Sequence, residues 1–410
     1  MKLTVLGGAG EHGRACFLLE ERGLKILLDC GEKEGTKVER YPALTREIAQ
    51  QLDAVFLSHI HADHYAGLPW LFKYGYPQNI LASQFSNHYL PELLQLPLGG
   101  KELANFEAHG PAGSWFRALP NLNLCWGRSG HAPGAVWLLL QSPAKTVLYT
   151  GDYTPNPPLL RHDSLLENEL LLSQQIDLAI MDCAYTTQSD TWETAFAELK
   201  KTLATVLGRN GTVLLPVPRF GRGQELLLLL QKAFPDVELL IESEIYHGLQ
   251  VYLEHDELLS TENKDRISKA LSAGLRIVAN DRERENAIRG RQIIITPDSR
   301  LESAAAHFYL QRLGGEPLNA LIITGHIDNA CLQRTLSQTS GKRFNMQILH
   351  QCYKIHQGIS DIRNLLKRLK PEHTLLVHAD KQATDLVVNQ LVSEGFKHVH
   401  SLTANDTLSF

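Results

Sequence analysis

Short apolar runs closed by Gly, Pro or Asp dominate the first 150 residues. LTVLG (3–7), ACFLLE (15–20), LKILLDCG (24–31), AVFLSH (54–59) and TVLYTGD (146–152) have the length and composition of strands. Between them, YPALTREIAQQL (41–52) carries apolar residues at helical spacing. Alternating strands and helices predict an α/β fold, and polar residues at strand ends are where such sheets build sites. After QQIDLAIMDCAYTT (174–187) the texture changes. Residues 191–234 read helix, Asn-Gly turn, strand, loop, helix. NALIITGH (319–326) and HTLLVHADKQATDLVVNQLVSEGF (373–396) repeat the strand–loop–helix order. The pattern predicts a second α/β layer set into the first: a first part over 1–174, an insert over 175–345 and a returning part over 346–410.

Composition changes this picture little. The chain has 410 residues, 43% of them hydrophobic, which suits two globular layers. No apolar run approaches the ~18 residues of a membrane span, and the glycine-broken start is too short for a secretory h-region. The six cysteines are scattered without CxxC pairs, as expected of reduced thiols in the cytoplasm. A net charge of −5 argues against bulk electrostatic capture of nucleic acid but leaves room for a local basic groove.

The 18 histidines need a cause, and LSHIHADHYAGL (57–68) supplies one. DAVFLS reads as a buried strand, and His59, His61, Asp63 and His64 lie in the loop at its end. In an extended chain His59 and His61 share a face, and a turn brings Asp63 and His64 to the same cavity. Imidazoles and a carboxylate suit a borderline divalent ion such as zinc. Further candidates end other strand-like runs: Asp29 in LKILLDCG, His131 in SGHAPGA and Asp152 in LYTGDYT.

The order Asp, HxHxDH, His, Asp resembles the metallo-β-lactamase superfamily, whose fold is an αββα sandwich with metals at one sheet edge. The insert resembles that of the β-CASP branch of nucleases, which includes ribonuclease J and the cleavage-and-polyadenylation endonucleases. IMDCAYTT, with Asp182, resembles the first motif of that insert. PVPRFGRGQELL (216–227) and NALIITGHIDNACLQRTL resemble later ones, and VHAD (377–380) resembles the last motif, with His378. His356 lies 22 residues before His378, the spacing of the remaining family histidine, although Lys354-Ile355 and Gln357-Gly358 flank it where the family has Ser-Ala and Ala-Asp.

The resemblance implies an αββα sandwich with an inserted α/β domain and a site of two Zn²⁺, with Mn²⁺ as the other candidate metal. His59, His61 and His131 would hold one ion, and Asp63, His64 and His378 the other. Asp152 would bridge them at about 3.5–4 Å, and Asp29 would orient ligands from behind. The catalytic groups would be Asp63, Asp182 and His356, with His356 protonating the leaving oxygen and Asp182 supporting it. Arg219, Arg222, Ser299, Ser303 and Arg334 would bind substrate.

Three departures alter the expected grip on a polymer. SRLESA (299–304) replaces a glycine-rich loop. Ala330, Cys331 and Gln333 replace small residues of the next. No Lys or Arg occurs between Ala233 and Asn263, where acidic residues accumulate. The basic run Arg282, Arg284, Arg289 and Arg291 reads as a solvated helix face. The expected function is hydrolysis of single-stranded RNA. A DNA nuclease, a small-substrate phosphodiesterase and a non-catalytic partner subunit are the alternatives. Little chain follows His378, so no long C-terminal dimerisation module is expected. The oligomeric state stays open, a homodimer included.

Overall fold

The computed structural model describes residues 1–33, 37–94, 103–255, 257–325, 327, 329–339 and 344–410; the side chains of 37, 38, 329–331, 338 and 339 lie outside the description. The chain divides into two compact units: Met1–Pro157, Arg161–Ser189 and His356–Phe410 form the first, and Pro158–Leu160 and Asp190–Ile355 the second.

The first unit contains two seven-stranded sheets. One runs Thr407–Ser409, Lys2–Gly7, Cys16–Glu21, Leu24–Leu28, Ala54–Phe56, Ile80–Ala82, Leu103–Asn105. The other runs Val399–Ser401, His373–Val377, Leu178–Asp182, Thr146–Tyr149, Val136–Gln141, Leu122–Arg128, Phe116–Leu119. Alternation along the strands sorts their side chains. Phe17, Ile26 and Phe56 from one sheet share a buried cluster with Leu138, Tyr149, Ile180 and Leu375 from the other. The opposite parity, Trp137, Leu139, Met181 and Leu376, packs under helices Ile359–Leu369 and Lys381–Ser393. This is the mixed α/β architecture that the pattern of apolar runs predicts, in the sandwich arrangement that the resemblance implies.

The strand order brings the site's residues to one place. Leu178–Asp182 pairs in parallel with Thr146–Tyr149 on one side and His373–Val377 on the other. Parallel neighbours end on the same edge, so Asp152, Asp182 and His378 emerge side by side. In the other sheet, Leu24–Leu28 and Ala54–Phe56 are parallel too, which sends Asp29 and the 57–64 segment out together. Backbone bonds then fix that segment. Ala15, Cys30 and Glu32 donate their amides to the carbonyls of Asp63, His64 and Ala62 at 2.8, 2.8 and 3.1 Å. Gly31 leaves room for this ladder, since a Cβ there would lie 1.6 Å from the Asp63 carbonyl oxygen.

The second unit is built on a six-stranded sheet in the order Arg276–Val278, Glu238–Glu242, Gln292–Thr296, Val213–Pro216, Ala320–Ile323, Gln347–His350, with every pairing parallel. Its central strands are nearly continuous apolar runs, as sheets covered on both faces require.

Three expectations change. The edges near 175 and 345 move to 190 and 355, because Leu178–Asp182 hydrogen-bonds into the first unit's sheet and Gln347–His350 into the second's. Arg284 is not on a solvated face. It is buried, and its guanidinium grips Glu242 at 2.9 and 2.6 Å while Tyr309 donates to the same carboxylate at 2.7 Å. That pairing, with Arg276 on Glu238 at 2.5 Å, also removes two acids from the expected repulsive surface.

Replacing Gly31 by Ala is expected to cost about 1–3 kcal/mol in urea unfolding, and to lower metal retention by displacing the Asp63 carbonyl. Gly127→Ala, whose Cβ would meet the Trp137 ring at 2.2 Å, should lower stability comparably and leave metal retention unchanged.

Candidate metal centre

Two strained residues frame the centre. Asp29 has φ 59° and His378 has φ 68°, left-handed values that side chains other than glycine seldom adopt. The His378 amide is held by the Gly8 carbonyl at 2.9 Å, and the Asp29 amide by that of Phe56 at 2.9 Å. The segment 59–64 extends through His61 and then enters a short helix, Ala62–Tyr65, with His61 at its N-cap. That turn carries Asp63 and His64 round, as the spacing predicts.

Three imidazole nitrogens converge. His59 Nε2 lies 3.1 Å from His61 Nδ1, which lies 3.0 Å from His131 Nε2. Asp152 Oδ2 is 3.5 Å from His59 Nε2 and 3.4 Å from His131 Nε2. All these ligand atoms fall within 4.8 Å of one another. Ligands of a tetrahedral ion with roughly 2.0–2.1 Å bonds stand about 3.3 Å apart, so the set has the right size. Asp63, His64 and His378 form a second set: His378 Nε2 is 3.2 Å and His64 Nε2 3.8 Å from Asp63 Oδ2. Asp152 reaches this set as well, with Oδ1 3.3 Å from His64 Nε2 and 2.9 Å from His378 Nδ1.

Asp29 sets the tautomers from behind. It accepts from the Ser58 amide and hydroxyl, both at 2.7 Å, from Tyr149 at 2.5 Å and from His64 Nδ1 at 2.7 Å. The Ser58 oxygen, having donated to Asp29, accepts from His59 Nδ1 at 3.0 Å. With Nδ1 on both rings committed to these acceptors, Nε2 is the nitrogen each ring turns to the cavity, and it offers a lone pair there once the ring is neutral. The expectation for Asp29 came from the sequence. Ser58 and Tyr149 did not: Ser58 is adjacent to the motif, and nothing in the pattern marks Tyr149.

The chemistry of the donors fits a cation. His64 Nε2 and His378 Nδ1 are shut from solvent and lack a hydrogen-bond partner, although each lies close to Asp152; lone pairs aimed at a common point, not at one another, give that geometry. Burial holds His59 well below the ordinary imidazole range and brings His61 to about 4, so both are neutral ligands at pH 7. Burial pulls His64 and His378 the same way, but Asp152 and the neighbouring carboxylates outweigh it and raise both well above that range.

Asp182 and His356 lie beside these sets. Asp182 is buried and accepts from His356 Nδ1 at 2.9 Å and from the Tyr153 and Ala184 amides at 3.2 and 2.9 Å. Burial raises its carboxyl, but His356 and His378 hold it well below the usual carboxylate range. The His356 ring stands 4.5 Å from that of His131 and 5.1 Å from that of His378. His59, His61, Asp63, His64, His131, Asp152, Asp182, His356 and His378 are thus gathered in one place within the first unit, with Asp29 behind them.

The residues expected to bind substrate belong to the second unit. Arg222 is buried there and donates to the Thr324 carbonyl at 3.3 Å. Arg219 is half-buried with its guanidinium 5.4 Å from the Phe220 ring. Ser303 caps helix Ala304–Leu313, accepting from Ala306 at 3.1 Å, and Ser299 is half-buried. Arg334 is exposed on helix Asn329–Thr339, where the Ala330 and Cys331 side chains lie outside the described residues. Among the described residues no helix is long and apolar enough to cross a membrane.

Comparisons with known proteins agree with this geometry. The profile of the metallo-beta-lactamase superfamily matches residues 9–116, and that of a Zn-dependent metallo-hydrolase RNA specificity domain matches 343–401. The chain is 26% identical to a probable RNase MJ4 of Methanocaldococcus jannaschii, over 97% of each chain. It is 26% identical to the transcription termination factor FttA of the same organism, over 93% of this chain and 67% of that one. It is 24% identical to cleavage and polyadenylation specificity factor 73 of Drosophila melanogaster, over 93% of this chain and 60% of that one. A crystal structure of a protein of unknown function from Enterococcus faecalis V583 superposes with a TM-score of 0.59 at 12% identity, covering 100% of this chain and 99% of the other.

Zinc added to the metal-free protein at pH 7 should release protons, because His64 and His378 must be neutral to ligate. Calorimetry in buffers of different ionisation enthalpy reads this; a heat independent of buffer would contradict it. Asp29→Asn should weaken zinc retention about 10- to 100-fold, read by competition with a chelator.

Proposed function

The chain belongs to the metallo-β-lactamase superfamily, in its β-CASP nuclease branch, and from that premise we propose that it cleaves single-stranded RNA. It is a hydrolytic nuclease of the metal-dependent kind. The observation that carries the reading is the convergence of two ligand sets and the Asp182–His356 pair on one edge of the sandwich. The names of the relatives, a ribonuclease and a polyadenylation factor among them, support RNA as the substrate.

His59, His61 and His131 would hold one zinc, Asp63, His64 and His378 a second, with Asp152 between them. Bound zinc supplies water ionised near neutral pH and positive charge for a phosphoryl oxygen. The protein's own groups do the rest. Asp29, through Ser58 and His64, fixes the direction of the ligating lone pairs. His356, with Nδ1 committed to Asp182, keeps Nε2 to give a proton to the departing sugar oxygen. Asp182 stays ionised and stabilises the imidazolium that does so. The described cysteines are free, which suits the reducing cytoplasm proposed for this chain.

A second reading of His356 has its own observation. Ligand atoms of Asp152, Asp182, His356 and His378 also lie within 4.8 Å of one another, so His356 could instead ligate.

Elemental analysis should find about two zinc per chain, and wild-type protein should cut labelled single-stranded RNA while His59→Ala does not. Protein that hydrolyses bis(p-nitrophenyl) phosphate or DNA but leaves every RNA intact would overturn RNA as the substrate. His356→Ala should slow cleavage about 10²- to 10⁴-fold with zinc content unchanged; zinc loss in that variant would make His356 a ligand.

A further inference from the structure

Helix Leu68–Lys73 leaves the metal-ligand loop after Gly67, whose amide is anchored on the Cys30 carbonyl at 2.8 Å. Leu68 and Leu71 are buried on its inner side. Trp70 and Tyr74 are only half-buried, and Lys73 is exposed. Tyr41, also half-buried, meets Trp70 edge-on, with ring centroids 5.4 Å apart at 61°. Tyr74 lies on the same indole, 6.1 Å away at 44°. Two cations attend these rings: Lys73 Nζ sits 4.3 Å from the centre of Trp70, and the Arg40 guanidinium 5.9 Å from that of Tyr41.

Neither the ligand sets nor the Asp182–His356 pair uses this group, and all three rings keep part of their surface open. Partly open aromatic rings with interleaved cations are the composition of surfaces that hold unpaired nucleobases. We propose that Tyr41, Trp70 and Tyr74 form a stacking platform for a base of the single strand whose scissile phosphate lies at the histidine–aspartate centre. The proposal rests on the ribonuclease reading above and gives that substrate a second contact, through a base and not through phosphate.

Magnitudes favour the exchange. A base stacked on an aromatic ring is held more strongly than an exposed ammonium over the same ring. A base therefore displaces Lys73, whose ammonium becomes available to the neighbouring phosphate. Distance allows it too. Trp70 follows His64 by six residues, a span of no more than about 22 Å fully extended and shorter across two helical turns. The platform is thus within a short oligonucleotide's length of the centre. Arg40 is held by Glu32 at 2.9 and 3.1 Å, so the exposed Lys73 makes the charge argument: a nucleic-acid strand brings it a counter-charge, which an apolar protein segment does not.

Steady-state cleavage of a short RNA series by the zinc-loaded full chain tests this. Each substrate carries one abasic nucleotide at a different distance from the cut. With wild type, one position should raise KM about 5- to 100-fold with kcat little changed. Trp70→Ala should raise KM for intact RNA by a similar factor and be insensitive to the abasic position, while Trp70→Phe recovers most of the loss. An unchanged KM in Trp70→Ala, or an abasic effect that persists in it, overturns the platform alone. If Trp70→Ala does not fold, the wild-type series decides, and a KM uniform across positions overturns the proposal. Wild-type protein that cleaves no single strand overturns the ribonuclease reading and the platform with it.

Discussion

Asp29, Asp152 and Asp182 are carboxylates held away from water at one edge of a sandwich. Each such ion costs several kcal/mol to desolvate, and nothing apolar in the surroundings can offset that. The surrounding architecture can be read as the set of arrangements that make the burial tolerable. Amides of Ser58, Tyr153 and Ala184 point at these oxygens, Tyr149 donates to one, and imidazoles from distant segments close around them. The remaining deficit is positive charge, which protonated histidines supply in part and dications supply better. The affinity for metal is in this sense a by-product of where the acids are kept.

Rigidity follows from the same demand. The 62–64 turn has its carbonyls bound by three amides from neighbouring strand ends, and His378 is fixed in a left-handed conformation by Gly8. A ligand set positioned this way needs little reorganisation when an ion or a substrate arrives, and preorganised charge is what hydrolytic sites exploit.

How much of this could be read from the chain depends on the range of the interaction. HxHxDH was legible because its ligands share one loop, and Asp29, His131 and Asp152 because each lies at the end of an apolar run; His378 was legible only through the resemblance of VHAD to a family motif. The fold class was legible from strand–helix alternation. The domain edges were not, since the residues that flank them show their allegiance only through strand pairing, Leu178–Asp182 with His373–Val377 and Gln347–His350 with Ala320–Ile323. The surroundings of Arg284 and Arg222 were illegible for a related reason. A guanidinium in a polar stretch reads as surface, and only the burial of Glu242, or the approach of the Thr324 carbonyl, reveals that it is drawn inward.

Leu178–Asp182 and His373–Val377 lie side by side, yet Asp190–Ile355 of the second unit separates them along the chain. During synthesis the ribosome must therefore deliver an entire additional layer before the neighbouring strand exists, and His378 comes later still. A nascent chain stalled anywhere short of that point carries the HxHxDH loop but lacks one side of the cavity. The second ligand set is therefore completed only when the chain has grown through the second unit as far as residue 378.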